Sequence, residues 1–181
     1  MNNDLKIIAL QTLKILTKKS WNNLSIKEIE IKSKVRLFSN QIKNKQSLLN
    51  NINSYFNYIL ILNSKDIENS SSKDMIFEIL MMRFDLLQKN RKAILSIFRS
   101  FRKNPKELVF ILPKLLESIE MMLGCLKISS KGIVGQIKIQ GILVIYLSTF
   151  LVWINDETKS LEKTMTFLDN SLDQVGKLFK L

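Results

Sequence analysis

Residues that interrupt helices are scarce in this chain, which has five glycines and two prolines among 181 residues. The long segments between them are rich in Leu, Ile, Lys and Glu. Such a chain offers few places for the tight turns that a many-stranded sheet requires, and its composition favours long helices. We therefore predict an all-α protein.

The segment from Leu24 to Leu49 predicts a helix-turn-helix. Ser25 and Glu28 have the spacing of a capping box, in which the serine closes the start of a helix and the glutamate reaches back. Leu24 and Ile29 are placed for the hydrophobic staple that accompanies such a box. The predicted helices here are Asn3–Lys18, Ile26–Lys32, Arg36–Ile42 and Lys45–Leu62, with a tight turn near Ser33–Val35. A headpiece of three short helices thus precedes a long fourth helix.

Residues 63–72 are polar and rich in Ser and Asn, and they form the clearest linker in the chain. The helices predicted beyond it are Lys73–Lys89, Arg91–Lys103, one that starts at Asn104-Pro105 and is kinked or divided at Pro113, an apolar one that ends near Ile154, and Ser160–Phe179. We place the domain boundary within the fourth helix or at the linker. The predicted division is a headpiece over residues 1–50 and a ligand-binding and dimerisation body over residues 51–181.

The formal net charge is +12, which favours an anionic partner such as nucleic acid or a membrane surface. Lysine supplies 23 of the 28 cationic residues, a bias that AT-rich coding also produces. The distribution is more informative, because residues 1–62 carry ten Lys/Arg against three Asp/Glu while residues 63–181 carry eighteen against thirteen. The excess is therefore largest where a DNA-binding headpiece needs it.

Histidine is absent, which excludes imidazole bases, Ser-His-Asp triads and the usual zinc sites. We expect a binding protein rather than an enzyme, with no cofactor and no metal. The single cysteine, Cys125, has no partner for an internal disulfide, which fits a reducing compartment. We see no signal peptide, and the near-apolar run Ile139–Ile154 is shorter than the ~20 residues that span a bilayer. We expect a cytoplasmic protein.

The last predicted helix carries apolar residues spaced alternately by four and three positions, which indicates a packing seam for another helix. The seam consists of Leu161, Met165, Leu168, Leu172, Val175 and Phe179. It fits either packing within one chain or a homodimer interface. We predict a dimer interface formed by Leu161, Met165, Leu168, Leu172 and Val175.

The N-terminal segment resembles the helix-turn-helix of TetR-type transcriptional regulators. Ser25, Ile29, Val35 and the segment from Lys45 to Leu49 match the family pattern, and Ile42 stands for a phenylalanine. Three departures matter: Lys34 replaces the turn glycine, Ser39 falls where tyrosine is expected, and the recognition helix is about two residues short. The resemblance implies an all-α TetR-like fold and double-stranded operator DNA as the partner.

The residues that would meet DNA follow from this resemblance. Candidates for base contacts are Arg36, Ser39, Asn40 and Gln41, and candidates for backbone contacts are Ser25, Lys27, Lys34, Lys43 and Lys45. The alternative is that these residues form the solvated faces of a degenerate motif. A shortened helix also reaches less deeply into the major groove.

The segments MMRFDLLQKNRKAI (residues 81–94) and YLSTFLVWINDETKSLEKTMTFLDNSL (residues 146–172) carry a second resemblance. Through them, and through scattered apolar positions over residues 74–172, the body resembles TetR-like proteins of alphaproteobacteria and the ubiquinone-biosynthesis accessory family (Coq-nine). That family keeps a TetR-like fold, has lost DNA binding and holds isoprenoid lipids. We expect no further amphipathic helix of the kind that family uses to meet membranes. Apolar and methionine side chains suit a lipid-like ligand, and the predicted pocket consists of Phe77, Met81, Phe84, Phe98, Met121, Tyr146 and Phe150. These residues fit a plain core equally well.

Two functions from different classes remain open. The first is a dimeric TetR-like repressor whose apolar small-molecule ligand shifts the population away from the DNA-binding geometry. The second is a lipid-binding accessory protein of ubiquinone biosynthesis with a vestigial helix-turn-helix, and the short recognition helix favours it. The basic stretch Lys89–Lys106 adds a peripheral contact with phosphates or anionic lipid as an alternative to a solvated face.

Overall fold

A computed structural model describes the backbone of residues 1–179 and the side chains of residues 1–174. All regular elements in this part of the chain are helical, which confirms the all-α prediction. The α-helices are α1 (Asn3–Leu16), α2 (Ile26–Ser33), α3 (Lys45–Asn63), α4 (Ser72–Lys89), α5 (Arg91–Lys103), α6 (Lys106–Cys125), α7 (Gly132–Ile154) and α8 (Glu162–Phe179). Most of these bounds lie within two residues of those predicted from the sequence.

The chain forms two compact units, each built from two separate stretches. The first unit contains residues 1–59 and 87–114, and the second contains residues 60–86 and those from Leu115 onward. This differs from the predicted division at residues 50 and 51. Residues 87–114 belong with the N-terminal helices because α5 packs directly against α1.

The first unit has its core where α1, α2 and α5 meet. Ile8, Leu16, Trp21 and Ile29 are buried there, and α1 packs against both α2 and α5. The Asn51 side chain on α3 donates to the carbonyl oxygen of Leu5 at 2.9 Å, which ties α3 to α1. The staple residues Leu24 and Ile29 are both buried, as the sequence predicted.

The second unit is dominated by the packing of α7 against α8. Leu168 and Leu172 on α8 have no exposed surface. Lys73 on α4 bridges to Asp169 at 2.9 Å and also to Asp173. The hydrogen bonds to Asp173 and Asp169 raise the pKa of Lys73, so it stays cationic at physiological pH.

The structure corrects the predicted dimer interface at three of its five residues, while the homodimer itself stays a prediction. Leu161, Leu168 and Leu172 are at most 1% exposed because they pack inside the monomer, so they are unavailable to a second chain. Met165 is exposed, and Val175 lies outside the described side chains. The seam is therefore filled within the chain at each of its three leucines.

Two helix limits differ from prediction for backbone reasons. Leu161 adopts a left-handed conformation with φ 56°, so α8 begins at Glu162 rather than Ser160. Helix α6 continues through Pro113 instead of dividing there. The proline has no N–H to donate to the carbonyl of Val109, one turn earlier, which leaves that carbonyl without its helical partner.

The start of α7 depends on glycine. Gly132 has φ 70°, and a Cβ at Gly135 would overlap the backbone carbonyl of Ser130. By length and composition α7 could cross a membrane, a property that core helices of globular proteins share. Of its most apolar 18-residue window, 39% is buried in the second unit, so much of this apolar helix remains exposed.

Candidate functional site

The predicted recognition helix Arg36–Ile42 is wrong. The structure has only a 3₁₀ turn over Phe38–Asn40, between Lys34 at φ 58° and Gln41 at φ 61°. These two left-handed residues stop an α-helix on either side. The Leu37 N–H donates to a Glu30 carboxylate oxygen at 3.0 Å, which fixes the turn onto α2.

The predicted capping box is also wrong. Ser25 occupies the N-cap position of α2, but its side chain makes no capping hydrogen bond. Glu28 instead pairs with Lys32 at 2.8 Å and with Lys19 at 2.9 Å. Hydrogen bonds from Lys32 and then Lys19 lower the pKa of Glu28. The glutamate therefore links α2 to the segment after α1 rather than capping its own helix.

The residues predicted to contact DNA are mostly exposed. Exposed members are Ser25, Lys27, Lys34, Arg36, Ser39, Gln41 and Lys43. Asn40 is half-buried and donates to the Arg36 carbonyl oxygen at 3.0 Å. Lys45 is also half-buried, and its ammonium donates to the carbonyl oxygens of Trp21 and Asn22, both at 2.8 Å. Lys45 thus closes the α1–α2 loop.

The surface around this turn also carries large apolar side chains. Ile31 is 76% exposed and Phe38 is 75% exposed. The Lys43 ammonium lies 5.7 Å from the centre of the Phe38 ring, within the range of a cation–π contact. A recognition helix places successive side chains against base edges, and a single 3₁₀ turn does not supply that row. Operator binding stays a prediction.

The predicted ligand pocket divides between core and half-buried positions. Phe84 and Tyr146 are buried in the second unit, with ring centres 5.4 Å apart, and they pack against each other. The half-buried members of the second unit are Phe77, Met81, Met121 and Phe150. Phe98 belongs to the first unit. The two packed rings act as core, while the half-buried side chains keep surface for a ligand.

An exposed apolar face runs along α7, and the sequence analysis missed it. Ile137, Val144 and Leu151 follow one another at intervals of seven residues and are 45%, 62% and 56% exposed. Residues seven apart lie on nearly the same side of an α-helix, so these three side chains form one stripe. We call them the α7 stripe. The clue in the sequence was that α7 carries more apolar residues than one buried face requires.

A cleft of about 440 Å³ lies between the end of α7 and the first half of α8, and its lining residue Val152 directly follows Leu151 of the α7 stripe in the sequence. Val152 and Phe167 contribute its apolar part, while Glu162, Lys163 and Asn170 contribute polar groups. Phe167 and its neighbour Met165 are also exposed. An elongated apolar molecule could contact the α7 stripe and extend into this cleft.

The loop between α7 and α8 is fixed by one buried carboxylate. Asp156 accepts hydrogen bonds from the backbone N–H and hydroxyl of Thr158 and from the same two groups of Thr164. Burial alone would raise the pKa of Asp156, but the bonds from Thr158 and Thr164 outweigh it and lower the value to about 2. This carboxylate holds the register of α8 against α7.

A family model described as COQ9 matches residues 140–178. The match covers most of α7 and nearly all of α8, including Val144, Leu151 and Asp156. It spans less than half of the chain, so it is a local similarity to that family. No curated protein matches the chain. The similarity agrees with the resemblance of the body to the ubiquinone-biosynthesis accessory family, and no comparison supports a TetR-type regulator.

Proposed function

We propose that this protein is a lipid-binding accessory protein of ubiquinone biosynthesis, and that it holds the isoprenoid chain of its ligand along the α7 stripe. The observation that carries the proposal is that the COQ9 match and the exposed apolar surface lie on the same two helices. The COQ9 match begins at residue 140 and ends at residue 178, and the same helices carry the exposed apolar stripe and the adjoining cleft.

The physical driving force would be burial of apolar surface. Val144 and Leu151 each leave more than half of their surface in water. Covering apolar surface contributes about 25 cal/mol per Å², so an extended isoprenoid chain that lies along several such side chains gains binding energy without any polar contact. Polar groups at the cleft, such as Asn170, would hydrogen-bond the ring substituents of a quinone precursor.

The shape of the headpiece fits this function better than it fits gene regulation. Its recognition element is reduced to the turn over Phe38–Asn40, and Lys45 is engaged with two backbone carbonyls. A protein that binds lipids does not need a base-reading helix. The headpiece would then serve as part of the first unit's packing.

The proposal is tested by titrating the purified protein with a short-chain ubiquinone analogue. Saturable binding at one molecule per chain is expected. The double variant Val144→Gln/Leu151→Gln should weaken binding at least tenfold, since it removes two apolar contacts worth about 1 kcal/mol each or more. The matched control is Ile61→Gln/Leu62→Gln, which changes two exposed apolar residues of the same unit outside α7 and α8. If both variants bound the ubiquinone analogue with the affinity of the parent protein, the proposal would be contradicted.

A second copy of the chain is the competing occupant of the stripe. The homodimer predicted from the sequence would no longer use the α8 leucines, which are buried, but a dimer could use Val144 and Leu151 instead. Sedimentation velocity of the parent protein and the stripe variant separates these cases. A dimer that the stripe variant abolishes, together with unchanged affinity for the quinone analogue, would assign the stripe to dimerisation and contradict the lipid site.

The regulator hypothesis is tested by measuring how tightly the protein binds its own upstream DNA and a scrambled duplex. A repressor should prefer its own upstream DNA over a scrambled duplex by about 1000-fold, with a steep dependence on salt. We expect weak and equal binding to both duplexes, as nonspecific attraction by a +12 protein gives. Strong preference for the native duplex would restore the regulator hypothesis.

A further inference from the structure

The first unit contains a basic groove of about 930 Å³ between the segment after α1 and helix α5. We call it the basic groove. Its cationic lining residues are Lys18, Lys19, Lys92, Arg99, Arg102 and Lys103. None of its described lining residues carries a carboxylate. Lys19 pairs with Glu28, and none of the other five forms an ion pair among the described residues.

The cations on α5 are held on one side of that helix. Ala93, Ile94, Ile97 and Phe101 are buried in the first unit, while Lys92, Arg99, Arg102 and Lys103 are exposed. Because the apolar side of α5 is already packed, this helix cannot turn over to bury itself in a bilayer. Its charged side instead remains available to a partner outside the protein.

Hydrogen bonds fix the opposite wall of the basic groove to α5. The Trp21 backbone N–H donates to the Ser96 hydroxyl at 2.9 Å, and that hydroxyl donates to the Lys19 carbonyl oxygen at 3.4 Å. The loop that carries Lys18 and Lys19 is therefore attached to the helix that carries Arg99. The positive charges belong to one preorganised surface, which reduces the entropy lost when an anionic partner binds.

Exposed apolar side chains follow the groove directly along the chain. Lys103 lines the groove, α6 begins three residues later at Lys106, and the next residues Leu108, Val109 and Phe110 are 39%, 65% and 55% exposed. Glu107 is the one acidic residue in the sequence from Lys103 to Ile111, and its carboxylate accepts a hydrogen bond from the Asn104 side chain at 3.2 Å. Cations beside exposed apolar residues are typical of proteins that bind the interface of a bilayer.

We propose that the basic groove and the apolar corner at Leu108–Phe110 dock this protein onto a membrane surface that contains anionic phospholipids. The groove cations contact lipid phosphates, and the three apolar side chains enter the boundary between headgroups and acyl chains. Nucleic acid would satisfy the cations but offers nothing to three exposed apolar side chains, so a membrane fits both observations. The inference does not depend on the proposed function, because the α7 stripe lies in the other unit.

The test is co-sedimentation of the full chain with vesicles. Binding is expected to vesicles of phosphatidylcholine and phosphatidylglycerol in equal parts, and not to phosphatidylcholine alone. The variant Arg99→Ser/Arg102→Ser/Lys103→Ser should reduce partitioning by roughly 100-fold, since each of the three cations near an anionic surface contributes about a fivefold gain. The charge-preserving variant Arg99→Lys/Arg102→Lys should retain most binding and shows that the fold is intact.

The matched control removes the same charge elsewhere. Lys65→Ser/Lys131→Ser/Lys159→Ser changes three exposed lysines of the second unit and should leave most of the binding in place. The variant Val109→Ser/Phe110→Ser should weaken vesicle binding at both low and physiological salt, because the two side chains that it removes contribute apolar contacts, which salt does not screen. If this control triple variant lost as much vesicle binding as the groove triple variant, the proposal would be overturned, since the loss of net charge alone would explain both results. Displacement of the vesicles by duplex DNA or by inorganic pyrophosphate at low concentration would also overturn it.

Discussion

Asp156 in the α7–α8 loop is hydrogen-bonded to both polar donors of Thr164 in the first turn of α8. One Asp156 carboxylate oxygen accepts the Thr164 backbone N–H at 2.9 Å and its hydroxyl at 2.8 Å, and the residue is fully buried. This is the arrangement by which a side chain satisfies an N–H in the first turn of a helix. It lies inside the segment similar to the COQ9 family. The loop geometry that places α8 beside the α7 stripe therefore depends on one ionised carboxylate.

Stability should fall in acid because of this carboxylate. Its pKa is about 2 in the folded protein against 3.8 for an ordinary aspartate, so its contribution is complete above pH 4 and is lost as the pH falls toward 2. Asp156→Asn should cost about 1–3 kcal/mol of unfolding free energy at pH 7. Urea denaturation at pH 7 and pH 3 measures this. The difference between parent and variant should shrink at pH 3, and a constant difference would contradict the role of the charge.

Substitution of Gly135 should disrupt the start of α7. A Cβ there overlaps the Ser130 backbone, so Gly135→Ala should destabilise the protein by about 1–3 kcal/mol. Gly141 has open space around its Cβ position, and Gly141→Ala should stabilise the same helix by about 0.5–1 kcal/mol. Thermal unfolding of both variants provides the comparison. A melting temperature for Gly135→Ala that is unchanged or higher than that of the parent protein would show that this close approach does not constrain the helix.

Replacing Lys34 with glycine should stabilise the headpiece. Lys34 sits in the left-handed region after α2, where glycine avoids a steric cost of roughly 1 kcal/mol. We expect Lys34→Gly to gain about 0.5–1 kcal/mol and Lys32→Gly, inside the helix, to lose about 1 kcal/mol. Denaturant midpoints report both. Loss of stability in Lys34→Gly would mean that the lysine has a role beyond the turn.

Lys45 should matter for stability rather than for binding nucleic acid. Lys45→Met removes two hydrogen bonds to the carbonyl oxygens of Trp21 and Asn22 and should cost about 1 kcal/mol. Lys43→Met, at an exposed position two residues earlier, should be nearly neutral in stability. If Lys43→Met is the more destabilising of the two, the assignment of Lys45 to the loop is incorrect.

Helix positions could be predicted well from the sequence, because helix-breaking residues and apolar spacing act locally. Helix ends that depend on a positive φ at one non-glycine residue could not be predicted. Lys34, Gln41 and Leu161 adopt positive φ without the glycine that usually signals it, so the recognition helix and the start of α8 were misjudged. The capping-box prediction was wrong for another reason. Glu28 forms ion pairs with two lysines, one of which lies nine residues away in the sequence.

The candidate sites required three-dimensional information. An apolar seam on α8 is compatible with either an internal or an intermolecular partner, and only the burial of Leu168 and Leu172 distinguishes them. The exposed stripe on α7 was missed because apolar residues are so frequent in this helix that their spacing does not separate a buried face from an exposed one. The basic groove brings Lys18 and Lys19 together with Arg99, and some eighty residues separate these two lysines from the arginine in the sequence.

Photo-crosslinking tests the lipid site most directly. A ubiquinone analogue with a diazirine on its prenyl chain would be bound to the full protein, irradiated, and its adducts mapped by peptide mass spectrometry. The account predicts adducts on α7 and α8, concentrated around Val144, Leu151 and Phe167, and their loss in Val144→Gln/Leu151→Gln. Adducts that instead fall on the first unit, or that persist unchanged in the stripe variant, would contradict the central claim.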